Sequence, residues 1–390
     1  MSQPAASSDA SPARTAEYSL GELVVYALKL GSLGFGGPVA LVGYMHRDLV
    51  ERRNWISEAD YKDGLALAQL APGPLAAQLA IYLGYVRYRV LGATLVGLAF
   101  VLPSFFMVVA IGWAYVRFGG LPWMQAVFYG VGACVIGIIA NSAIKLTKRT
   151  LGADRLLWGI YLVSALTTAI TETEIAWLFF VAGALAWIVK TPPSWLSRPR
   201  VSSFAWPLAL VGFAEPTGIL GKMFWFFAKA GAFVFGSGLA IVPFLHSGVV
   251  KDFQWLNEQQ FIDAVAVAMI TPGPVVITVG FIGYLIAGFP GACVAALGTF
   301  LPCYLFTVIP APYFKKYSRR PDLHAFVNGV TVAAVGTIAG AVIVLGRRSI
   351  IDFPTGLIGV ATLLLCWKMK KIPEPVLVIA AALIGLALKR

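Results

Sequence analysis

Apolar residues occur along this chain in long blocks separated by short polar stretches. A hydrocarbon layer of ~30 Å takes about 20 helical residues to cross. The pattern therefore predicts an all-α polytopic membrane protein with about 13 (10–13) membrane segments. The blocks lie near 20–45, 63–84, 91–116, 123–144, 156–170, 174–189, 204–214, 223–249, 261–287, 289–314, 325–346, 350–367 and 373–388.

One stretch of the sequence is repeated within the chain. Positions 29–74 and 229–274 align without gaps and share 16 of 46 residues. The shared residues include Lys29/Lys229, His46/His246, Trp55/Trp255, Glu58/Glu258, Asp63/Asp263 and the triplets Pro72-Gly73-Pro74 and Pro272-Gly273-Pro274. A duplicated hydrophobic half with matched helix breakers indicates a transporter built from two structural repeats.

The repeats divide the chain into four parts. Residues 1–18 are rich in Ser, Ala and Pro without the apolar core of a signal peptide, so we expect a disordered tail. The first repeat covers 19–190 and the second 222–390. The linker 191–221 between them is rich in Pro and has room for one short crossing helix at 204–214.

Composition supports a bilayer environment. Hydrophobic residues make up 59% of the chain and charged residues only 12%, about half the charge of soluble domains. The net charge of +12 comes from basic clusters between apolar blocks, which the positive-inside rule explains without a nucleic-acid partner. The four dispersed cysteines form no metal-binding motif, so neither a metal site nor a cofactor is predicted.

The basic clusters also bear on orientation. Arg87 and Arg89 follow the second block of the first repeat, whereas the matching loop of the second repeat, 287–290, is uncharged. The largest basic cluster of the second repeat lies at 315–320, after the third block of that repeat, 289–314. This switch of parity predicts that the repeats are inverted relative to each other, with a cytoplasmic N-terminus; the pairs at 347–348 and 389–390 count against it.

The Pro-Gly-Pro triplets are the sharpest local signal. Proline removes a backbone donor and blocks the preceding turn, and in a membrane the freed groups need partners or a wet cavity. The restarting helix offers an N-terminal anion site, although simple kinks are the alternative. We predict substrate-binding residues around the triplets and the matched glycine stretches, namely Phe35, Gly36, Gly37, Pro38, Gln69, Pro72, Gly73, Pro74, Gln78, Gly236, Ser237, Gly238, Thr271, Pro272, Gly273 and Pro274.

Charged and titratable residues give further candidates. Lys29 and Lys229 precede the glycine stretches and are predicted as oxyanion ligands, with snorkelling to the interface as the alternative. The candidates for proton coupling are His46, Glu58, Asp63, Glu258 and Asp263, together with His246. Helix capping explains the acids equally well.

These residues resemble the chromate ion transporter family of bacterial inner-membrane proteins, in its long two-domain form. The resemblance rests on Phe35 to Pro38, Trp55 with Glu58, both Pro-Gly-Pro triplets and the pairs Leu102-Pro103 and Leu301-Pro302. It implies efflux of chromate from the cytoplasm, driven by the proton-motive force and conferring chromate resistance, with sulfate as the structural analogue. The second repeat departs from the pattern, with Ser237-Gly238 in place of Gly37-Pro38.

Three other functions were weighed against the same residues. A transporter of sulfate or another oxyanion, or a passive anion channel, would share the broken helices. An intramembrane serine hydrolase using Ser237 and His246 is disfavoured, because position 37 of the other repeat is Gly and no hydrolase motif occurs. We predict that the chain is not an enzyme. The oligomeric state is left open, with a homodimer as one arrangement.

Overall fold

A computed structural model describes residues 16–35, 37–118, 122–171, 176–191, 218–233, 238, 241–314, 321–368 and 374–389. The described residues form helices and turns, with no strand among them. This confirms the all-α prediction for that part of the chain. The predicted tail up to residue 15 and most of the linker lie outside the described residues.

The two repeats have matching orders of helices. The first contains α1 (Leu20–Leu33), α2 (Gly37–Met45) with a π-helix (His46–Arg52), α3 (Glu58–Leu70), α4 (Leu75–Phe118), α5 (Pro122–Leu151), α6 (Arg155–Thr171) and α7 (Ala176–Lys190). The second contains α8 (Ile219–Phe233), α9 (Ile241–His246) with a π-helix (Ser247–Asp252), α10 (Glu258–Ile270), a 3₁₀ turn (Val275–Ile277), α11 (Thr278–Val308), α12 (Pro321–Ser349), α13 (Phe353–Lys368) and α14 (Glu374–Leu388).

The first block of each repeat folds back on itself as a helical hairpin. Tyr26 and Arg53 would lie ~40 Å apart in one straight helix, yet the Arg53 guanidinium lies 5.6 Å from the Tyr26 ring centre. In the second repeat, the rings of Phe226 and Phe253 are 5.7 Å apart. We call these units the glycine hairpins, because the sequence between the two arms of each contains a glycine stretch.

The second block of each repeat is also a hairpin, turning at Pro-Gly-Pro. Gly64 of α3 packs on Tyr82 of α4, although 18 residues of straight helix would separate them by ~27 Å. Likewise, Thr278 Oγ1 donates to the carbonyl of Ala264 at 2.7 Å. We call these units the proline hairpins. The blocks 20–45, 63–84, 223–249 and 261–287, predicted as single crossings, are therefore corrected to hairpins.

A sharp reversal follows each proline hairpin. Arg89 has φ +53° within α4 and Gly288 has φ +60° within α11. A Cβ at Gly84 would lie 2.7 Å from the carbonyl carbon of Gly92, so the chain doubles back there. Each reversal starts a long arm, 90–118 in α4 and 289–308 in α11.

The two long arms pack against each other in opposite directions. Thr94, near the start of the first arm, lies 2.7 Å from the Tyr304 hydroxyl near the end of the second arm. Phe105, further along the first arm, meets Phe289 at the start of the second, with ring centres 6.3 Å apart. Equivalent helices that are antiparallel are related by a two-fold axis perpendicular to them.

The remaining helices are exchanged between the repeats. Gly137 of α5 is so close to α13 that a Cβ would lie 2.6 Å from the carbonyl oxygen of Gly359. Gly336 of α12 packs in the same way against α6, with a Cβ position 2.9 Å from that of Ser164. Close approach at small residues is typical of membrane helices. The two repeats therefore form one intertwined body.

Four described helices are long and apolar enough to cross a membrane: 75–118, 125–148, 275–308 and 324–347. Shorter apolar helices occupy 155–171, 177–190, 353–368 and 375–388. With the low charge of the chain, these lengths indicate a multi-pass membrane protein.

Candidate anion-binding site

Hairpin tips from both repeats meet at one place. The backbone N–H of Gly273, in the second proline hairpin, donates to the carbonyl of Gly34, in the first glycine hairpin, at 3.0 Å. Ser104 of the α4 long arm donates its hydroxyl to the carbonyl of Gly31 at 3.1 Å. A Cβ at Gly273 would lie 3.2 Å from both Ser104 Cβ and the Gly31 oxygen, so only glycine fits there.

The other proline hairpin makes the equivalent contact. A Cβ at Gly73 would lie 3.2 Å from Sγ of Cys303, which follows the Leu301-Pro302 pair as Ser104 follows Leu102-Pro103. Gly73 has φ +144° and Gly273 φ +91°, both favouring glycine. Each proline tip therefore packs on the long arm of the opposite repeat.

At the second proline tip, the carbonyl end of one helix is hydrogen-bonded by a side chain, whereas the amide end of the next helix is not. The carbonyl end of α10 is satisfied, because Thr271 donates its amide at 3.1 Å and its hydroxyl at 2.6 Å to the carbonyl of Val267. The helix that restarts after Pro274 has no side-chain cap at its N-terminus. By contrast, Asn257 caps the outer end of α10 with a capping box. The amide end at the tip thus has no side-chain cap, which is the arrangement that helix N-termini use where they bind anions.

Gln78 is the polar side chain buried at the first proline tip. Its side chain is fully buried, and its Nε2 donates to the carbonyl of Pro72 at 2.8 Å. Its Oε1 has no hydrogen-bond partner within the described part of the chain. A buried amide oxygen without a donor is costly, so this oxygen suits a water molecule or another hydrogen-bond donor, and the second N–H of Nε2 is the donor that this side chain has left.

The remaining predicted residues of the tips divide into three groups. Phe35 and Gln69 are exposed, whereas Gly37 and Pro38 form the start of α2. Gly238 is buried against Val275. Gly36, Gly236 and Ser237 lie outside the described residues.

The two predicted lysine ligands are not brought to the tips. Lys29 is exposed and lines a cavity of about 400 Å³ near the outer end of the first glycine hairpin, together with Glu22 and Arg53. Lys229 is exposed as well and lies 5.3 Å from the ring centre of Trp225. The opposite face of each helix packs on the long arm of its own repeat, through Gly31 and Gly231.

The histidines and glutamates pair at the outer ends of the hairpins. His46 Nε2 lies 2.9 Å from Glu58 Oε2, and His246 Nε2 lies 2.8 Å from Glu258 Oε2. The hydrogen bond from His46, followed by that from Lys62, lowers the pKa of Glu58. Glu58 starts α3, and α3 is ~20 Å long. These pairs therefore join each glycine hairpin to its proline hairpin far from the tips.

The two aspartates lie in unlike surroundings. Asp263 is 2% exposed, and it accepts hydrogen bonds from Tyr115 at 2.7 Å and Gln259 at 2.8 Å. Asp63 is half-buried, and Ala59 stands where the second repeat has Gln259. Tyr115 also comes from the other repeat, so it ties the second proline hairpin to the α4 long arm.

Sequence reasoning missed three residues of this region. Ser104 and Cys303 directly follow the Leu-Pro pairs, so the repeat comparison contained a signal for them. Tyr115 offered no such signal, because its counterpart 199 positions later is Phe314.

Comparison with known proteins agrees with this architecture. The family model described as "Chromate transporter" matches the chain twice, at residues 21–188 and 221–386. A "Chromate transport protein" of Cupriavidus metallidurans is 67% identical over 95% of this chain and 93% of its own length. A "Probable chromate transport protein" of Synechococcus elongatus is 66% identical over 94% of this chain and 95% of its own length.

A more distant relative extends the comparison. The "Chromate transport protein" of Pseudomonas aeruginosa is 31% identical over 93% of this chain and 91% of its own length. No solved structure gives a significant match. The resemblance inferred from the sequence motifs is confirmed: the chain belongs to the chromate transporter family.

Proposed function

We propose that this chain exports chromate from the cytoplasm across the bacterial inner membrane as a secondary active transporter driven by the proton-motive force. The observation that carries this proposal is the hydrogen bond from Gly273 to Gly34, which joins hairpin tips of two repeats. Hairpins that meet at their tips provide one central site with an approach from either end, as alternating access requires.

Inversion of the repeats is part of the proposal. Two independent observations support it: the switch of basic clusters between the repeats and the antiparallel packing of the long arms. If both arms cross the membrane, antiparallel arms cross in opposite directions. The proline hairpins would then enter from opposite sides, and one crossing would fall in the linker 191–221.

The proposed anion site uses neutral donors. The first backbone amides after Pro74 and Pro274 and the second N–H of Gln78 Nε2, whose other N–H binds the Pro72 carbonyl, are the donors that we assign to the oxyanion. Backbone amides at helix N-termini hold sulfate and phosphate in many proteins. Lys29 and Lys229 then contribute at a distance, by attracting anions to the membrane surface.

Membrane potential is sufficient to drive this export. Moving one charge across 100 mV is worth ~2.3 kcal/mol, so a dianion expelled from a negative interior gains ~4.6 kcal/mol per 100 mV. At ~1.4 kcal/mol per tenfold, that supports a gradient of about three orders of magnitude. Proton exchange would add to it, and Asp63 and Asp263 are the proposed acids closest to the tips.

The moving parts follow from the exchange of helices. Because α5 is held by α13 and α12 by α6, two whole repeats cannot rock against each other without breaking both contacts. We propose instead that the hairpins and long arms move against a frame formed by α5–α7 and α12–α14.

The test is uptake of radiolabelled chromate into inside-out vesicles that contain this protein. We expect uptake that valinomycin with K⁺ strongly reduces, because it collapses the potential; nigericin, which collapses the pH gradient, reports the proton component. Unlabelled sulfate as competitor ranks the two anions. Vesicles with a full potential and no uptake of either anion would refute the proposal.

A second measurement separates a carrier from a channel. Vesicles preloaded with unlabelled chromate and lacking any potential are diluted into labelled chromate. A carrier accumulates label transiently by exchange, whereas a passive channel only equilibrates it. Absence of this counterflow would exclude alternating access.

A further inference from the structure

One helical face of the proline hairpin is exposed in the first repeat and buried in the second. On α10, Ile262, Asp263, Ala266 and Met269 are all buried. On α3, the equivalent residues Lys62 and Gln69 are exposed, and Asp63 and Ala66 are half-buried. These positions recur at three- and four-residue intervals, so they form one face of each helix.

Different neighbours explain the difference. The α10 face packs on α5, where a Cβ at Gly132 would lie 3.1 Å from Ile262 Cγ2, and Tyr115 binds Asp263. Buried residues of α10, α5 and α14 share one hydrophobic cluster. The cluster that contains α3 includes no residue of α12, the counterpart of α5, among the described residues.

The composition of the exposed face indicates what it faces. Lys62 and Gln69 are polar where the covered face has the apolar Ile262 and Met269, and the aspartate is common to both faces. Charged side chains within hydrocarbon cost ~3 kcal/mol each on insertion scales, so this face is suited to water. It runs from Glu58 along α3 to Pro72, whose carbonyl binds buried Gln78.

We propose that the α3 face formed by Lys62, Asp63, Ala66 and Gln69 lines the aqueous path by which the anion reaches the hairpin tips. In this structure the α3 face is exposed or half-buried, which we assign to the open side of the path, and the α10 face packed on α5 is assigned to the closed side. The proposal rests on the proposed transport function for the identity of the anion, but not for the existence of the path.

The open side is the cytoplasmic one. The outer end of the first proline hairpin is joined to Tyr18, whose carbonyl accepts a hydrogen bond from Tyr88 at 2.6 Å. The Arg87 guanidinium lies 4.7 Å from the Tyr18 ring centre, so this end carries positive charge. By the positive-inside rule that end faces the cytoplasm, which is the side where an exporter takes up its substrate.

The repeat supplies a matched pair for the test, because positions 66 and 266 are both alanine. Ala66→Cys and Ala266→Cys are made separately in a protein whose four cysteines are replaced by alanine and which still transports. Each variant is treated with a membrane-impermeant anionic methanethiosulfonate, in inside-out and in right-side-out vesicles.

We expect Ala66→Cys to react at least tenfold faster in inside-out vesicles than in right-side-out ones, and faster than Ala266→Cys in inside-out vesicles. Added chromate should slow the reaction, and a cationic reagent should react more slowly than the anionic one. Equal rates at the two positions would overturn the path even if the protein transports. Labelling that is asymmetric but insensitive to chromate would keep the path and refute chromate as its ion.

Coverage of the α3 face by a second copy of the chain would give a different labelling result. If a second copy of the chain covers the α3 face, Ala66→Cys resists the reagent in both vesicle orientations and oxidation yields a disulfide-linked dimer. That result would overturn the path and assign the face to a homodimer.

Discussion

The hairpins of the first and second repeats share several internal contacts but differ in exposure. Both have the His–Glu pair, and both proline tips pack on the long arm of the opposite repeat. Yet His46 is 30% exposed and His246 4% exposed. Residues that are identical in the two repeats therefore make the contacts they share. Residues that differ between the repeats determine how much of each hairpin is exposed.

One hairpin fold is therefore stable both when it packs against the frame and when it does not. Lys62 and Gln69 suit a wet face, whereas Ile262 and Met269 suit a packed one. A transporter that alternates between open and closed sides needs a unit that keeps its shape in both settings. The two repeats display those settings in one molecule.

The largest effect is expected at the proline tips. Gly273→Ala adds a Cβ against Ser104 and the backbone of Gly31, in a backbone conformation that costs alanine about 1–2 kcal/mol. Overpacking adds about 1–3 kcal/mol. We expect transport to be lost and the melting temperature in detergent to fall.

Two further glycine variants show how much of the lost transport in Gly273→Ala is due to packing at the tip. Gly73→Ala should be milder, because its nearest neighbours are the side chains of Gln78 and Cys303. Gly288→Ala is the control: Gly288 has φ +60° with open space around it, and its counterpart is Arg89. If Gly288→Ala were as damaging as Gly273→Ala, backbone strain alone would explain the loss and tip packing would not.

The next effect concerns the polar lining, where the repeats differ in Gln78 and Thr278. Removing the buried amide with Gln78→Ala leaves the Pro72 carbonyl without its donor and costs about 1–3 kcal/mol. If the amide binds the anion, the KM for chromate rises about tenfold.

Thr278→Ala provides the comparison. Its hydroxyl donates within the hairpin to Ala264, so we expect a lower melting temperature and an unchanged KM. An unchanged KM in Gln78→Ala, with lower stability alone, would make Gln78 a structural residue.

A smaller effect is expected from replacing Tyr115 of the first repeat by the residue type of its counterpart in the second repeat. Tyr115→Phe removes one of the two hydrogen bonds to Asp263 and introduces the residue type found at 314. The loss of about 1–2 kcal/mol should loosen the closed side and raise the labelling rate of Ala266→Cys about tenfold. The rate at Ala66→Cys serves as the control and should stay unchanged, since that side is already open. Unchanged labelling at 266 would mean that Tyr115 does not hold the side closed.

Sequence alone predicted the features that depend on repeated residues. The triplets, matched glycines and basic clusters indicated two repeats, broken segments and a candidate site at the breaks. Hairpins were not predicted, because an apolar block that turns back at its centre has the same composition as one that crosses. The contact between Arg53 and Tyr26 depends on the direction of the chain after Gly34, which hydropathy does not record.

The functional candidates divide in the same way. Gln78 and the triplets lie at the tips, as expected for residues beside helix breaks. Lys29 and Lys229 were expected beside the anion, but periodicity alone does not tell which face of α1 or α8 meets the long arm. Tyr115 comes from a position that differs between the repeats, so comparing the repeats gave no signal for it.

The smallest effect compares the two His–Glu pairs. Glu258→Gln weakens a pair with a buried histidine, whereas Glu58→Gln weakens an exposed one with Glu58 50% exposed. Losing a partner of a buried polar group costs about 1–3 kcal/mol, whereas an exposed pair is screened by solvent and contributes little to stability. We therefore expect a larger fall in melting temperature for Glu258→Gln.

The pH dependence of the exposed pair provides an internal check. Because the pKa of Glu58 is lowered in the folded protein, its contribution is complete above the ordinary glutamate pKa of about 4.3 and is lost as the pH falls through the lowered value. The difference in melting temperature between wild type and Glu58→Gln should therefore be present at pH 7 and should narrow below about pH 4. Equal losses in Glu58→Gln and Glu258→Gln at pH 7 would mean that burial does not distinguish the two pairs. The contrast in surroundings between the hairpins would then have no energetic consequence at their outer ends.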